Sequence, residues 1–398
     1  VGQGVTTGSV AANVAAPAAP VARDSAGRLT VEERRAFDLG SQDGAVLETF
    51  ISGRPYVGVF VSTAWLAGFR AEPPDGAEPL LLLMREGSTL RGIVPLAIQR
   101  RLTHVRVALL GGGAGSDRVD LLASCGCEAS CADLLLSWLA ESFGPQGFVL
   151  ELRDVPGTSP LWAAIHRAGL ERSQPLALVP REIHPVPYLD MADRSARPGA
   201  DKALHTATSL ARHRRWLEQR CRLRIEMLHD PAEVISAFDT LTSLLRARWR
   251  GHGGSVLDHP RAQRFHRRVL PLLLAEGRLR MIRLSADMRP IAVYYGLAAG
   301  KWSGYYLAGY DREWAGRIHL GQVTLATAMD VMAQEGAAEF DFLKGAERNK
   351  YSWPVRERVT VDADIYSQQS GPQLVRATRS ARAAAIAFAR TAKGLITI

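Results

Sequence analysis

Cysteine is scarce in this chain, four in 398 residues. Cys125, Cys127 and Cys131 stand together in "CGCEASC", and Cys221 is alone. A structural zinc takes four ligands, usually as C-x₂₋₄-C pairs. The spacing here is irregular and no histidine sits nearby, so free thiols and no bound metal are expected. Low cysteine usage fits a reducing compartment. Long apolar runs are also missing. No stretch reaches ~18 consecutive apolar residues, so no helical membrane span is expected. The first thirty residues lack a basic n-region and a continuous apolar core, and do not read as a signal peptide. They read as a disordered Ala/Val/Gly/Pro tail. Several catalytic fingerprints are absent: there is no G-x-S-x-G elbow and no H-E-x-x-H pair. "GGGAGSD" from Gly111 is not a G-x-G-x-x-G fingerprint, because Ser116 takes the last position. Strand-like "RVDLLAS" follows it rather than a helix, and no P-loop lysine does. Hydrolase and nucleotide-dehydrogenase chemistry therefore have no support.

Basic charge is in excess, at a net +9. One cluster is Lys202, Arg212, Arg214, Arg215, Arg220, Arg222 and Arg224. Another is a tail with Arg376, Arg379, Arg382, Arg390 and Lys393 and no acidic residue. Such patches attract polyanions, or are solvated helix faces. The length leaves room for about two domains at ~150–200 residues each.

Val57 to Ser62 and Leu80 to Met84 read as short apolar strands, continued by "GIVPLAIQRR" and "HVRVALLGGG". Leu134 to Phe143 is helical, and "GFVLELRDV" is a strand. From Pro185, "PVPYLDMADRSARPGA" has three prolines and no period, which marks a domain boundary. Ala203 to Cys221 is a basic helix. Asp230-Pro231 caps and opens another, running to about Trp249. A third ends at Gly277. Strands "RLRMIRLS", "IAVYYGLAA" and "WSGYYLAG" follow, the last two joined by a tight turn through Gly300. Leu325, Ala328, Met329, Met332 and Ala333 then repeat at helical spacing, between Gly321 and Gly336. The strand "EFDFL", an irregular piece, the strand "VTVDADIY" and an Ala/Arg helix from Pro372 complete the chain. A meander followed by strand, glycine-started helix and strand is a βαβ unit appended to an antiparallel sheet. The helix N-terminus is a natural phosphate seat, with Arg312 and Arg317 adding charge. Alternatively, the glycines only shape a loop.

The stretch "YYLAGYDREWAGRIHLGQVTLATAMDVMAQEGAAEFDFLKGAERNKYSW" resembles the CelD-like (BcsL-like) acyltransferase family, of GNAT-type fold. That family is linked to cellulose or exopolysaccharide synthesis and is distantly similar to FemAB transferases. The match lies at Tyr310, Asp311, Gly321, Asp341, Phe342, Lys344, Gly345, Glu347 and Lys350, with departures at Ala346 and Asn349. In the first half, "GSDRVD" carries Arg118 where the family often has tyrosine. The resemblance implies an α+β fold of tandem GNAT-like domains, each a mixed, mostly antiparallel sheet flanked by helices, the first degenerate. The expected layout is a tail over 1–38, a first domain over 39–184, a linker over 185–201, the acyltransferase domain over 202–370 and a basic tail helix over 371–398.

The resemblance also implies acetyl-CoA or another acyl-CoA as donor. Its acyl-pantetheine arm would run between "WSGYYLAG" and "EFDFL", beside Tyr306 and Leu307; Tyr305, Tyr306 and Trp302 could line the cleft, or be sheet packing residues. Gly316, Arg317, His319, Leu320 and Gly321 would hold its pyrophosphate. Acyl transfer to an amine needs a proton acceptor and stabilisation of a developing oxyanion. Asp341 alternates with Phe340 and Phe342 and so faces away from both rings, which makes it a candidate base; it could equally cap the following loop. Lys350 is a candidate for the oxyanion or an acidic donor, or a partner of Glu347 at i, i+3. Tyr351 is a candidate acid for the leaving thiolate. His319 is a second candidate base. Asp117, Asp120 and Tyr305 are candidate acceptor contacts. The acceptor is expected to be a small molecule or saccharide, such as an amino sugar or polysaccharide precursor. Two alternatives stay open. One is a Fem-like transferase using aminoacyl-tRNA, the one case in which nucleic acid would be a partner. The other is a non-catalytic accessory of polysaccharide synthesis or export. A cytoplasmic location is expected, peripheral at the inner membrane if the tail helix docks on lipid or a synthase complex.

Overall fold

The computed structural model describes residues 28–35, 39–171, 176–191, 210–251, 253–315 and 317–395. The first half runs β1 (Leu29–Arg34), α1 (Ser41–Gly53), α2 (Pro55–Gly58), α3 (Thr63–Ala71), β2 (Glu78–Glu86), β3 (Thr89–Arg100), β4 (Val105–Leu109), β5 (Leu122–Ala123), α4 (Glu128–Phe143), β6 (Phe148–Pro156), α5 (Pro160–Leu170) and β7 (Ala177–Asp190). The second half opens on a helix covering 210–218, α6. It continues with β8 (Leu223–Met227), α7 (Pro231–Trp249), α8 (Pro260–Ala275), β9 (Leu279–Ala286), β10 (Arg289–Ala299), β11 (Trp302–Tyr310), α9 (Arg312–Ala315), α10 (Leu320–Gln334), β12 (Glu339–Asp341), β13 (Arg356–Tyr366) and α11 (Ser370–Leu395).

All thirteen strands form one sheet, in the order β1-β2-β3-β4-β6-β13-β7-β12-β11-β10-β9-β8, with β5 on β3. Each half repeats the same plan. An antiparallel meander (β2–β3–β4, then β9–β10–β11) leads through a helix (α4, then α10) to a strand parallel to the last one (β6 on β4, β12 on β11). The closing strands are exchanged. β7, from the first half, pairs with β12, whereas β13, from the second, pairs with β6. β7 and β13 then pair antiparallel along their length and join the halves. This is a mixed α+β fold built from two GNAT-like units.

Four local expectations are corrected. Val57 to Ser62 is not a strand. It forms α2 and a single 3₁₀ turn, ended by Ser62, whose side chain caps α3. Val57, Val59, Phe60 and Val61 are all buried, and a short apolar run buried on every side has no period to distinguish helix from strand. Leu29–Arg34 lies within the expected tail but pairs with β2. β8 was not anticipated; it is a part-buried strand at the sheet's edge, where the apolar signal is weak. Pro185 to Asp190 continues β7 in spite of its prolines. The carbonyls of Pro185 and Pro187 accept from Gly345 and Phe342, at 3.0 Å each. The missing N–H groups of Pro185 and Pro187 thus face the chain beyond the short β12, not the β13 ladder.

Apolar packing joins the halves as well. Trp65 of α3 meets Phe265 of α8 edge-on, with centroids 5.1 Å apart, and Tyr306 of β11 at 5.6 Å. His266 sits inside this aromatic group, and burial lowers its pKa to about 3, so it packs as a neutral ring. Gly68 is the close-approach point of α3 and α8, because a Cβ there would lie 2.4 Å from Val269 and 2.5 Å from Phe265. Gly68→Ala is therefore expected to destabilise the protein by about 1–3 kcal/mol through overpacking, read as a lower urea midpoint. An unchanged midpoint would mean that the two helices separate at no cost.

The tail helix α11 begins against the sheet. Arg379 donates to Glu151 at 2.6 Å and to Asp364 at 2.9 Å. Among the described residues no helix is long and apolar enough to cross a membrane, and all four cysteines are free.

Candidate active site

β11 and β12 pair over only three residues, Trp302↔Glu339, Ser303↔Phe340 and Gly304↔Asp341. β11 then runs on to Tyr310, while the other chain turns away through Leu343 (φ 59) and Gly345 (φ 120). The two parallel strands therefore part, and this flank of β11 from Tyr305 onward lacks a strand partner among the described residues.

A loop from the first half fills one side of the opening. It leaves β4 through Gly111 (φ 89), Gly113 (φ 69) and Gly115 (φ 114), conformations that suit glycine. Its contacts come from consecutive residues. The Tyr306 hydroxyl donates to the Gly115 carbonyl at 2.6 Å. Ser116 Oγ accepts from Trp65 Nε1 at 2.8 Å. Asp117 Oδ2 accepts from the Lys344 backbone N–H at 2.9 Å. Arg118 Nη2 donates to Asp341 Oδ2 at 2.6 Å. The glycine run that fails as a dinucleotide fingerprint is thus the piece that carries first-half side chains to the second-half strands. Arg118 is a residue that sequence reasoning missed; its only signal was its departure from the tyrosine of the resembled family.

The aspartates have diverged. Asp341 is fully buried and accepts from Arg118, Arg358, Trp302 Nε1 (3.1 Å) and the Leu343 N–H (2.7 Å). Burial alone would raise its pKa, but the charges of Arg118 and Arg358 and these hydrogen bonds bring it below the usual value. A carboxylate held this way is a weak proton acceptor, so the structure corrects the base role: Asp341 positions two arginines. Asp117 is half-buried, and burial raises its pKa in spite of the Lys344 N–H and the neighbouring cations. Its second oxygen makes no hydrogen bond among the described residues. Asp120 is fully buried and engaged by Arg54 (2.7 Å), Ser159 (2.7 Å) and its neighbour's N–H (2.8 Å). It has no face for an acceptor, which corrects that expectation.

Lys350 is buried, and its ammonium is folded onto its own loop. It donates to the Lys344 carbonyl at 2.7 Å and pairs with Glu347 at 2.8 Å. The i, i+3 pairing holds, and an oxyanion role would require the side chain to swing out. Tyr351 is exposed; its hydroxyl donates to Glu357 at 2.6 Å, and that bond helps push its pKa up to about 12. The acid role is corrected on this ground, since a phenol held by a carboxylate is a poor proton donor. Asp341, Lys350 and Tyr351 make no hydrogen bonds to one another.

At the start of α10, Arg312, Arg317 and His319 are exposed, and His319 packs edge-on against His213 of α6 at 5.2 Å. Leu320 is buried, so it can offer only its backbone, and its N–H already bonds to the Ile318 carbonyl at 2.9 Å. A Cβ at Gly321 would lie 2.7 Å from the Tyr310 ring, which gives this glycine a packing reason of its own. Gly316 lies outside the described residues. Tyr305 and Leu307 are half-buried on β11; Tyr305 stacks on Tyr294 at 5.9 Å, and burial pushes its pKa up to about 12.

A sheet of two such units, with a parted parallel pair in the second, defines a tandem GNAT-type architecture. Residues 205–351 match the family described as an acetyltransferase (GNAT) domain. Among solved structures the chain is similar to FemX, at 9% identity over 85% of this chain and 98% of that one, with a TM-score of 0.57. It is also similar to a conserved protein of unknown function from Bacteroides thetaiotaomicron VPI-5482, at 11% identity over 85% and 99% of the two chains, with a TM-score of 0.51. At these identities the likeness is one of fold. No curated protein matches the sequence.

Proposed function

We propose that the protein is an N-acyltransferase that moves an acyl group, acetyl in the first instance, from acyl-CoA to an amine acceptor. The observation that carries the reading is the parting of β11 and β12 beneath a first-half loop bearing a carboxyl of raised pKa. The thioester arm lies along Tyr305, Tyr306 and Leu307 of β11. Its phosphates sit at the start of α10, where Arg312, Arg317 and His319 are exposed. Asp117 accepts the proton of the attacking amine, assisted by its free oxygen. Asp341, through Arg118, fixes the loop that carries Asp117. The amine nitrogen forms a bond to the acyl carbon, the C–S bond breaks, and CoA leaves as the thiolate, which takes the proton from Asp117, directly or through solvent, to become the free thiol and restore the base. The resemblance to CelD-like proteins favours an amino sugar or a polysaccharide precursor as acceptor, with the enzyme cytoplasmic or peripheral at the inner membrane. We also propose that the units bounded at 39–184 and 202–370 act as one body, since each closes the other's sheet.

Aminoacyl-tRNA is the second donor to consider, because Arg212, Arg214, Arg215 and Arg220 form an exposed basic surface on and just beyond α6. Binding there would fall steeply with salt. Thermal shift with acetyl-CoA, longer acyl-CoAs and free CoA tests the main reading. Ligand at 100 times its dissociation constant is expected to stabilise by about 2.7 kcal/mol. A melting temperature unmoved by every one of these ligands, at millimolar concentration, would remove acyl-CoA as donor.

A further inference from the structure

A second cluster of chemically able side chains lies where the exchanged strands meet. Asp154 stands on β6, His184 on β7 and Asp362 on β13, three neighbouring strands. Regular pairing is interrupted here. The β13–β6 register shifts between Val361 and Ala363, the β13–β7 register between Asp362 and Ala363, and Asp154 has a φ of 55. Such irregularities re-aim side chains, and here three ligand atoms come within 4.8 Å of one another.

Among the described residues, two of these atoms are sealed from water without a hydrogen-bond partner, Asp154 Oδ1 and His184 Nε2. Asp154 is 1% exposed. Its other oxygen takes the Lys344 ammonium at 2.7 Å, which leaves Oδ1 aimed at His184 Nε2, 3.9 Å away. Asp362 Oδ1 lies 3.4 Å from the same nitrogen and also accepts the Asp154 N–H at 2.8 Å. Ligands about 2.1 Å from an ion stand about 3.4 Å apart at tetrahedral angles, so a small contraction would complete the set. Glu182 Oε1 is 3.6 Å from His184 Nδ1, where a carboxylate can keep that nitrogen protonated and leave Nε2 as the ligand. His184, Lys344 and Asp362 line a cavity of about 390 Å³, together with Gly111 to Ala114. An ion held by the three side chains could therefore keep a coordination position open to that cavity.

We propose that Asp154, His184 and Asp362 bind one divalent transition-metal ion, which ties β6, β7 and β13 together at the strand exchange. One imidazole and two carboxylates suit a borderline ion such as Zn²⁺ or Mn²⁺. The ligand charges and Lys344 leave a local charge of −1 for the ion to offset. Lys344 bridges this site and the proposed base, through its ammonium to Asp154 and its N–H to Asp117, so the test reads metal binding and not activity.

Mn²⁺ is the probe, because the free thiols of Cys125 and Cys127 compete for it far less than for Zn²⁺. In an electron paramagnetic resonance titration of the full chain, the six-line signal of the free ion is expected to be lost up to one ion per chain. Zn²⁺ should displace the bound Mn²⁺. His184→Ala and Asp362→Asn alter side chains that are 15% and 17% exposed, and circular dichroism checks that both variants fold. Each should weaken binding at least about tenfold. An undiminished free-ion signal with protein in excess would overturn the proposal. Wild-type binding by both variants would overturn it too, by placing the ion elsewhere.

Discussion

Asp341→Asn is expected to lower the stability of the fold by about 3–5 kcal/mol, the range for breaking one side of a buried ion pair. The reason lies in Arg118. It is 1% exposed, its Nε and Nη1 have no hydrogen-bond partner among the described residues, and its anchor is the Asp341 carboxylate at 2.6 Å. A neutral amide keeps the shape but removes the carboxylate that is hydrogen-bonded to the buried guanidinium. Arg358, which also leans on Asp341, keeps Glu339 and the faces of Tyr56 and Tyr188. The pH dependence follows from the direction of the shift. Asp341 has a folded pKa below its unfolded value, so its stabilisation is present in full above about pH 3.9 and is lost as pH falls through the folded pKa. The deficit of the variant should therefore be largest at neutral pH and shrink in acid. Urea unfolding at a series of pH values measures both features. A variant within about 1 kcal/mol of wild type at pH 7, or a deficit that grows in acid, would contradict the pairing.

Much of this architecture could be read from local pattern. The alternation of Phe340, Asp341 and Phe342 placed the rings and the carboxylate on opposite faces, and both rings are buried in one core cluster. Asp230 caps α7 by accepting from Ala232 and Glu233 at 2.9 Å, as its place before Pro231 suggested. The strand, glycine-started helix and parallel strand of the second half were legible because each is held by short-range periodicity. What escaped depends on partners far along the chain. Arg118 and Asp341 are 223 positions apart, and nothing near either residue signals the other. The exchange of β7 and β13 is likewise a choice of neighbour, and Pro185 and Pro187 of β7 mask a strand, although their missing donors face away from the β13 ladder. The assignment of base and acid failed for the same reason. A carboxylate in a strand has no role until its counter-charges are known, and those of Asp341 came from β13 and from the other half.

Asp117→Asn is expected to cut turnover by about 10²–10⁴-fold while leaving the fold nearly unchanged. The side chain is half-buried, and the amide oxygen of asparagine can still accept the Lys344 N–H that Asp117 Oδ2 accepts at 2.9 Å. What is lost is an oxygen able to take a proton. Burial raises the pKa of Asp117 and so brings its basicity closer to neutrality, whereas the carboxyl of Asp341 moves the other way. The pH profile separates a base from a positioning group. Attack requires both a neutral amine and an ionised Asp117. Below both pKa values the logarithm of kcat/KM should therefore rise with slope 2 in wild type. In the Asn variant only the amine titrates, and the slope should be 1. Asp341→Asn, by contrast, should keep slope 2 in its folded range, because it changes the position of the loop and not the proton acceptor. Slope 2 preserved in Asp117→Asn, or turnover within a few-fold of wild type, would return the base to another group, with the exposed His319 at the start of α10 the next to test.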